Sequence, residues 1–190
     1  MFLWACRCSE QPIVERRSVQ EVEQSEKSKF QGRDNMDNRQ KGTILTLLKA
    51  DKRNRNYTNN YWFSYKDFLD PTDDSTDFSC ERLEGKQGYV ALIENLLHLD
   101  GTAKIYVQVY GLEEDNDEQC ICADTLIIFS RLSLGEVKQI FNEPHDIFPS
   151  DIGEETDFSQ PTFLIGENGE LIPGTRLFDT ESSVYYCWWD

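Results

Sequence analysis

Residues 103–130 read AKIYVQVYGLEEDNDEQCICADTLIIFS, and this stretch decides the fold. Apolar and polar residues alternate over residues 105–110, which is the two-residue period of a strand with two different faces. Residues 126–129 form a continuous apolar run, as expected of a strand that is covered on both sides. Acidic residues between the two strands cannot enter a core, so we expect a solvated loop tip there, formed by Glu113, Glu114, Asp115, Asp117 and Glu118.

The charge of the chain is large and unevenly distributed. The 190 residues carry a net charge of −16, and residues 67–190 hold 27 Asp/Glu against 6 Lys/Arg. A surface this acidic repels nucleic-acid phosphates and anionic membranes, and it attracts basic proteins or cations. We therefore expect a basic protein partner and neither a nucleic-acid nor a membrane partner. The alternative is that the acidic residues simply keep the surface solvated.

The cysteines and the termini bear on compartment and cofactors. No run approaches the roughly 18 apolar residues of a membrane span, and no convincing secretory signal opens the chain, which predicts a cytoplasmic protein with reduced thiols. Two Cys-x-Cys pairs lack the usual spacer of a zinc site, so we expect no metal and no cofactor. The six cysteines are Cys6, Cys8, Cys80, Cys120, Cys122 and Cys187.

The remaining chain suggests a tail and one domain. Residues 1–41 are polar and poor in apolar side chains, which predicts a disordered tail, with Met36 as an alternative translation start. Residues 42–190 are expected to form a single acidic domain. Residues 42–50 and 61–65 are predicted to be strands that pair in a hairpin, and the basic segment between them, with Lys52, Arg53 and Arg55, is expected to complement an acidic loop of the same protein.

Two helices and further strands follow. Apolar residues recur at three- and four-residue spacing over residues 86–99, and Ser133 with Glu136 forms a capping box that opens a second helix. Residues 162–165 and 170–172 are predicted to pair around a tight turn, and the aromatic segment 183–190 is expected to dock on the domain. The order predicts an α+β fold, with a mixed or mostly antiparallel sheet of about five to seven strands and two main helices packed on one face.

The sequence contains no recognised catalytic motif. It lacks the P-loop, dinucleotide-binding, nucleophile-elbow and zinc-protease patterns. Residues 70–77 could bind a cation, but they lack the glycine and the final glutamate of an EF-hand loop. A small hydrolase-like site near His145 and Asp146, with Ser150 or a cysteine as nucleophile, remains an alternative function.

Three carboxylate clusters carry the functional prediction. If residues 113–118, 70–77 and 151–157 converge, they form a negative face that can steer a basic protein. Trp188 and Trp189 could add contact energy to that face, or they could fill the edge of the core. In size, acidity, layout and absence of catalytic motifs the chain resembles the small immunity proteins of bacterial toxin systems. We therefore expect a non-enzymatic inhibitor of a basic toxin or nuclease, with a structural or scaffolding subunit as a further alternative.

Overall fold

The computed structural model describes residues 36–54, 58–78, 85–115, 118–142 and 148–190, which belong to one compact unit, Asp34–Asp190. The helices in these ranges are α1 (Asn38–Asn54), α2 (Tyr65–Phe68), α3 (Lys86–Leu99) and α4 (Leu134–Asn142). The strands are β1 (Asn60–Ser64), β2 (Thr76–Phe78), β3 (Lys104–Asp115), β4 (Glu118–Ser130), β5 (Asp151–Glu154), β6 (Thr162–Ile165), β7 (Leu171–Pro173) and β8 (Ser183–Trp188). A single 3₁₀ turn, Gly174–Arg176, follows β7.

All eight described strands belong to one sheet. Its order is β5-β8-β4-β3-β1-β6-β7, and β2 pairs with β4 outside this path. The pairs β1–β6 and β2–β4 are parallel, and the other pairs are antiparallel. The predicted α+β class with a mostly antiparallel sheet is therefore confirmed, although the described residues form eight strands and four helices where we expected five to seven strands and two main helices.

The two strands predicted over residues 103–130 form the long hairpin of β3 and β4, which lies in the middle of this sheet. Its pairing runs from Lys104↔Phe129 out to Asp115↔Glu118, so the strands continue into the segment that we expected to be an open loop. The register shifts twice, between Gln108 and Val109 and again between Val109 and Gly111.

The two faces of the sheet differ in what covers them. On one face, side chains from all four helices join one large core, with Ile44, Phe68, Ile93 and Val137 as fully buried examples. On the other face a smaller aromatic cluster forms around Trp62, whose neighbours are Tyr106, Ile127, Phe129 and Val184. The helices therefore leave much of the second face to loops and solvent.

Residues 42–50 are helical, so the predicted first strand and its hairpin with residues 61–65 are wrong. Gln40, Ile44 and Leu48 are buried at four-residue spacing, which is a helical period and outweighs the β-branched content of this segment. Gln40 Oε1 also accepts the Asp37 N–H at 3.0 Å, which helps to cap the helix start. Because α1 begins at Asn38, the compact unit starts a few residues before Gly42, and residues 1–35 of the predicted tail lie outside the described residues.

The later elements agree more closely with the sequence. Residues 86–99 are α3, and the Ser133 N–H donates to Glu136 Oε2 at 2.7 Å at the start of α4, as the capping box predicts. β6 and β7 pair antiparallel around the turn at Gly169, whose φ of 77° suits glycine. The C-terminal segment docks as β8 between β4 and the edge strand β5, so it is an interior strand of the sheet.

Candidate functional site

The acidic tip of the β3–β4 hairpin has two exposed carboxylates whose surroundings differ. Glu114 Oε2 lies 2.9 Å from Lys52 Nζ, and Gln119 donates to Glu114 Oε1 at 3.0 Å. The hydrogen bond and charge of Lys52 lower the pKa of Glu114. The expected pairing of this basic segment with an acidic loop is thus confirmed for Lys52, which lies in the last turn of α1, while Arg55 lies outside the described residues.

Glu113 lies on the opposite face of the hairpin from Glu114. It stands opposite Cys120 on β4, and it is exposed. The tip residue Asp117 lies outside the described residues, and only the backbones of Asp115 and Glu118 are described. Of the predicted tip residues, Glu113 is therefore the one with a described side chain on the face that the helices leave open.

The two bulges place a tyrosine and an aspartate on this open face. Tyr110 is the unpaired residue on β3 and Asp124 is the unpaired residue on β4. The Tyr110 side chain is 52% exposed. Burial of the rest of the side chain raises the pKa of Tyr110 to about 12, and the charges of Cys122, Glu113 and Asp124 contribute to the rise. Burial is the larger cause of this pKa shift, and the nearby negative charges add to it because they disfavour a phenolate.

Trp188 lies beside Asp124 on the neighbouring strand β8. It is opposite Thr125 in the β4–β8 register and is 37% exposed. Its indole Nε1–H donates to Asp124 Oδ2 at 3.1 Å, and Thr125 Oγ1 donates to Asp124 Oδ1 at 2.7 Å. Both carboxylate oxygens of Asp124 are therefore held by side chains of the sheet.

Trp189 lies elsewhere. It is 3% exposed and packs against the rings of Phe78, Tyr89 and Phe141, with centroid distances of 5.6, 5.1 and 6.2 Å. Neighbouring residues of a strand point to opposite faces, so one tryptophan enters the core and the other faces out. The two predicted contact residues are therefore not together, and only Trp188 belongs to the surface.

The third acidic segment reaches the same face through β5. Asp151 is opposite Trp188 in the β5–β8 register, and Tyr186 Oη donates to Asp151 Oδ2 at 2.8 Å. Gly153 permits this bond, because a Cβ at that position would meet the Tyr186 hydroxyl at 2.7 Å. The third acidic segment thus contains the short edge strand β5, which presents Asp151.

The second acidic segment joins from β2. Asp77 is exposed and stands opposite Cys122 on β4. Burial raises the pKa of Cys122 to about 12, and the nearby charges of Cys120, Glu113 and Asp77 add to the effect. Carboxylates from all three predicted clusters are therefore found on one face. We call it the acidic–aromatic face and define it by Asp77, Tyr110, Glu113, Asp124, Asp151 and Trp188.

In the rest of residues 70–77, oxygen atoms of the segment are bound by lysine side chains of the protein itself. Lys86 Nζ donates to the carbonyl oxygens of Asp70 and Asp73 and, at 2.6 Å, to Thr76 Oγ1. Lys41 Nζ lies 3.1 Å from both carboxylate oxygens of Asp73. An internal ammonium thus takes the oxygen ligands that a bound cation would need.

The described ranges bear on metal-ligand groups and on membrane-spanning helices. There, no group of three or more His, Cys, Asp or Glu side chains is arranged to hold a metal ion. The helices of the same ranges include none that is long and apolar enough to cross a bilayer. Cys120, Cys122 and Cys187 are free thiols, and burial raises the pKa of Cys187 far above its usual range.

The alternative hydrolytic site cannot be placed, because His145 and Asp146 lie outside the described residues. Ser150, its candidate nucleophile, is described, and its Oγ accepts the Asp190 N–H at 3.0 Å. The hydrolase hypothesis therefore stays a prediction from sequence.

Sequence reasoning missed Tyr110 and Asp124. Both had a local signal, because a glycine inside a strand often marks a bulge and Gly111 follows Tyr110. Asp124 is the one charged residue within residues 120–130, and a charged residue in a largely apolar strand segment is the second local signal.

No protein-family model, no curated protein and no solved structure matches the chain.

Proposed function

We propose that this protein is a non-enzymatic binding protein of the cytoplasm that uses the acidic–aromatic face to bind a basic protein, as an immunity or inhibitor protein binds a toxin or nuclease. The observation that carries the proposal is the convergence of Asp77, Glu113, Asp124 and Asp151 on one sheet face beside two exposed rings. Carboxylates gathered in this way raise the association rate of a positive partner.

The ion pairs among the described residues support the same proposal. Several Lys and Arg side chains pair with Asp or Glu residues that lie outside the acidic–aromatic face. Lys104 Nζ lies 3.1 Å from Asp179 Oδ2, and Arg131 pairs with Glu181. Lys41 and Lys52 are engaged by Asp73 and Glu114, as described above. These pairs neutralise carboxylates that do not belong to the acidic–aromatic face, whereas Lys86 lies near enough to Asp77 for the two charges to interact.

The exposed rings of the face suit binding rather than solubility alone. A surface that only needs to stay solvated requires charge and not aromatic side chains. Tyr and Trp are the residues that most often contribute large contact energies in interfaces, above all when polar groups surround them. Tyr110 and Trp188 meet this description, since each lies among carboxylates at the sheet surface.

The experiment compares two charge-reversed baits that differ only in location. The first carries Asp77→Lys and Glu113→Lys on the acidic–aromatic face, and the second carries Glu94→Lys and Glu167→Lys, which are exposed elsewhere. Both variants change the net charge equally. Each is used to capture proteins from a lysate of the source cells at low salt, and the bound proteins are identified by mass spectrometry.

We expect the wild type and the second bait to capture the same basic protein, and the first bait to lose it. Capture should also weaken as salt is raised, because screening acts on exposed charges. Equal capture by all three baits, or a partner that is not basic, would contradict the proposal.

A further inference from the structure

The acidic–aromatic face is more specific than a patch of negative charge. Its centre combines a carboxylate held in a fixed orientation with an exposed ring on each side. Asp124 lies on β4, Tyr110 on the neighbouring β3, and Trp188 on β8 at the other side of β4. Strands lie about 4.8 Å apart, so the backbones of the two aromatic residues are roughly 10 Å apart perpendicular to the strands. Along β4 they are also offset, because Tyr110 is level with residues 122–123 and Trp188 is opposite Thr125.

We propose that this centre binds the guanidinium group of an arginine side chain from the basic partner, an inference that rests on the proposed function. A planar guanidinium can stack on an aromatic ring and at the same time donate to a carboxylate. A lysine ammonium is a compact, strongly hydrated point charge that gains less from such a site. The arrangement of Tyr110, Asp124 and Trp188 therefore selects arginine over lysine.

Hydrogen bonds around Asp124 support this assignment. Trp188 Nε1–H and Thr125 Oγ1–H each donate to a different oxygen of the carboxylate, at 3.1 and 2.7 Å. Each oxygen has a further lone pair that can accept a second donor. The carboxylate is thus oriented before a ligand arrives, and little side-chain freedom is lost when an arginine binds.

Neighbouring carboxylates supply the attraction without the selectivity. Asp151 flanks Trp188, and Glu113 is close enough to Tyr110 to raise its pKa. Exposed carboxylates such as these attract any cation. They should therefore contribute to the binding of lysine and arginine alike, and the selectivity should come from the two rings.

The test uses two peptides of equal charge, blocked hexaarginine and blocked hexalysine, with the full-length protein. Affinities are measured by titration at low salt, and backbone and indole amide shifts in ¹H–¹⁵N NMR locate the binding. We expect hexaarginine to bind about fivefold more tightly than hexalysine, which is the ratio given by a stacking contribution of about 1 kcal/mol. The Trp188 indole signal should shift more with hexaarginine.

Variants separate the rings from the charge. Tyr110→Ala and Trp188→Ala should abolish the preference for arginine while hexalysine affinity stays within about twofold, whereas Trp188→Phe should keep part of the preference. Leu99→Ala, which removes an exposed apolar side chain from α3, serves as the control and should change neither affinity.

The outcomes distinguish this inference from the function on which it rests. If both peptides bind equally and the ring variants change nothing, but Asp77→Lys with Glu113→Lys weakens both, the arginine site is wrong and the acidic binding face stands. If the charge reversal on the face also leaves both affinities unchanged, the proposed function fails as well.

Discussion

Trp188 Nε1–H donates to Asp124 Oδ2 at 3.1 Å, and this bond joins the exposed ring of the last strand to a bulge at the centre of the sheet. The two residues are 64 positions apart in sequence. The bond orients the carboxylate of Asp124 and holds the indole beside it. This hydrogen bond therefore fixes the position of the indole relative to the carboxylate at the centre of the acidic–aromatic face.

A double-mutant cycle should measure this contact. Asp124→Ala and Trp188→Phe each remove one partner, and a hydrogen bond to a charged group at a half-exposed site should give a coupling of about 1 kcal/mol in the free energy of unfolding. Urea unfolding of the four proteins gives the value. A coupling near zero would mean that the two side chains are not joined in solution.

The two adjacent tryptophans should respond very differently to truncation. Trp189→Ala removes a fully packed ring from among Phe78, Tyr89 and Phe141 and should cost about 3–5 kcal/mol. Trp188→Ala removes a ring that is 37% exposed and should cost about 1 kcal/mol or less beyond its hydrogen bond. Chemical denaturation compares the two variants directly, and equal losses of stability would contradict the assignment of one ring to the core and one to the surface.

Lys86 should act as an internal cation for the loop at residues 70–76. Lys86→Met removes the donor to Asp70 O, Asp73 O and Thr76 Oγ1 and should destabilise the fold by about 1–3 kcal/mol. Lys138→Met, an exposed lysine on α4, is the matched control and should change stability by less than about 0.5 kcal/mol.

Calcium provides a second measurement on the same loop. We expect no change in the thermal midpoint of the wild type when millimolar calcium is added, because the ammonium of Lys86 takes the oxygen ligands. A calcium-dependent rise in the midpoint would show that the loop is a cation site after all.

Asp100 should make stability depend on pH in the acid range. Its burial would raise the pKa, but hydrogen bonds donated by Thr102 Oγ1, the Arg131 N–H, Ser130 Oγ and the Thr102 N–H outweigh burial and hold the pKa well below its usual range. The unfolded state binds a proton first, so the stabilisation is complete above the ordinary pKa of an aspartate and is lost as the pH falls below it.

The variant Asp100→Asn should therefore be less stable at pH 7 by about 1.5–3 kcal/mol, and its stability should fall less steeply between pH 5 and pH 3. Urea unfolding at several pH values gives both quantities, with Glu94→Gln on the exposed side of α3 as the control. An unchanged pH profile would show that the Asp100 carboxylate is not the group responsible.

The sequence predicts those parts of the fold that have a strong local period. The helix at residues 86–99 is recovered because an apolar stripe marks its whole length, and the capping box at Ser133 marks the start of α4. The helix α1 is missed because its threonines and isoleucine favour a strand locally, and burial of Ile44 and Leu48 against the sheet decides the outcome.

The candidate site is only partly visible in the sequence, for a topological reason. The acidic clusters are evident one by one, but their convergence depends on β8 lying between β4 and β5 and on β2 pairing with β4. Gly111 and Asp124 mark two unusual positions locally, but the pairing of β3 with β4 decides that Tyr110 and Asp124 are the unpaired residues of the bulges. The different positions of Trp188 and Trp189 depend on strand alternation at the very end of the chain.

The most direct test of the account is to map where the captured basic protein touches this one. Zero-length carbodiimide crosslinking joins lysines of the partner to carboxylates within contact distance, and mass spectrometry identifies the carboxylates. We expect crosslinks at Asp77, Glu113 and Asp151, the carboxylates around the arginine site, and these crosslinks should disappear at high salt. Crosslinks concentrated at Glu94 or Glu167, or crosslinks indifferent to salt, would contradict it.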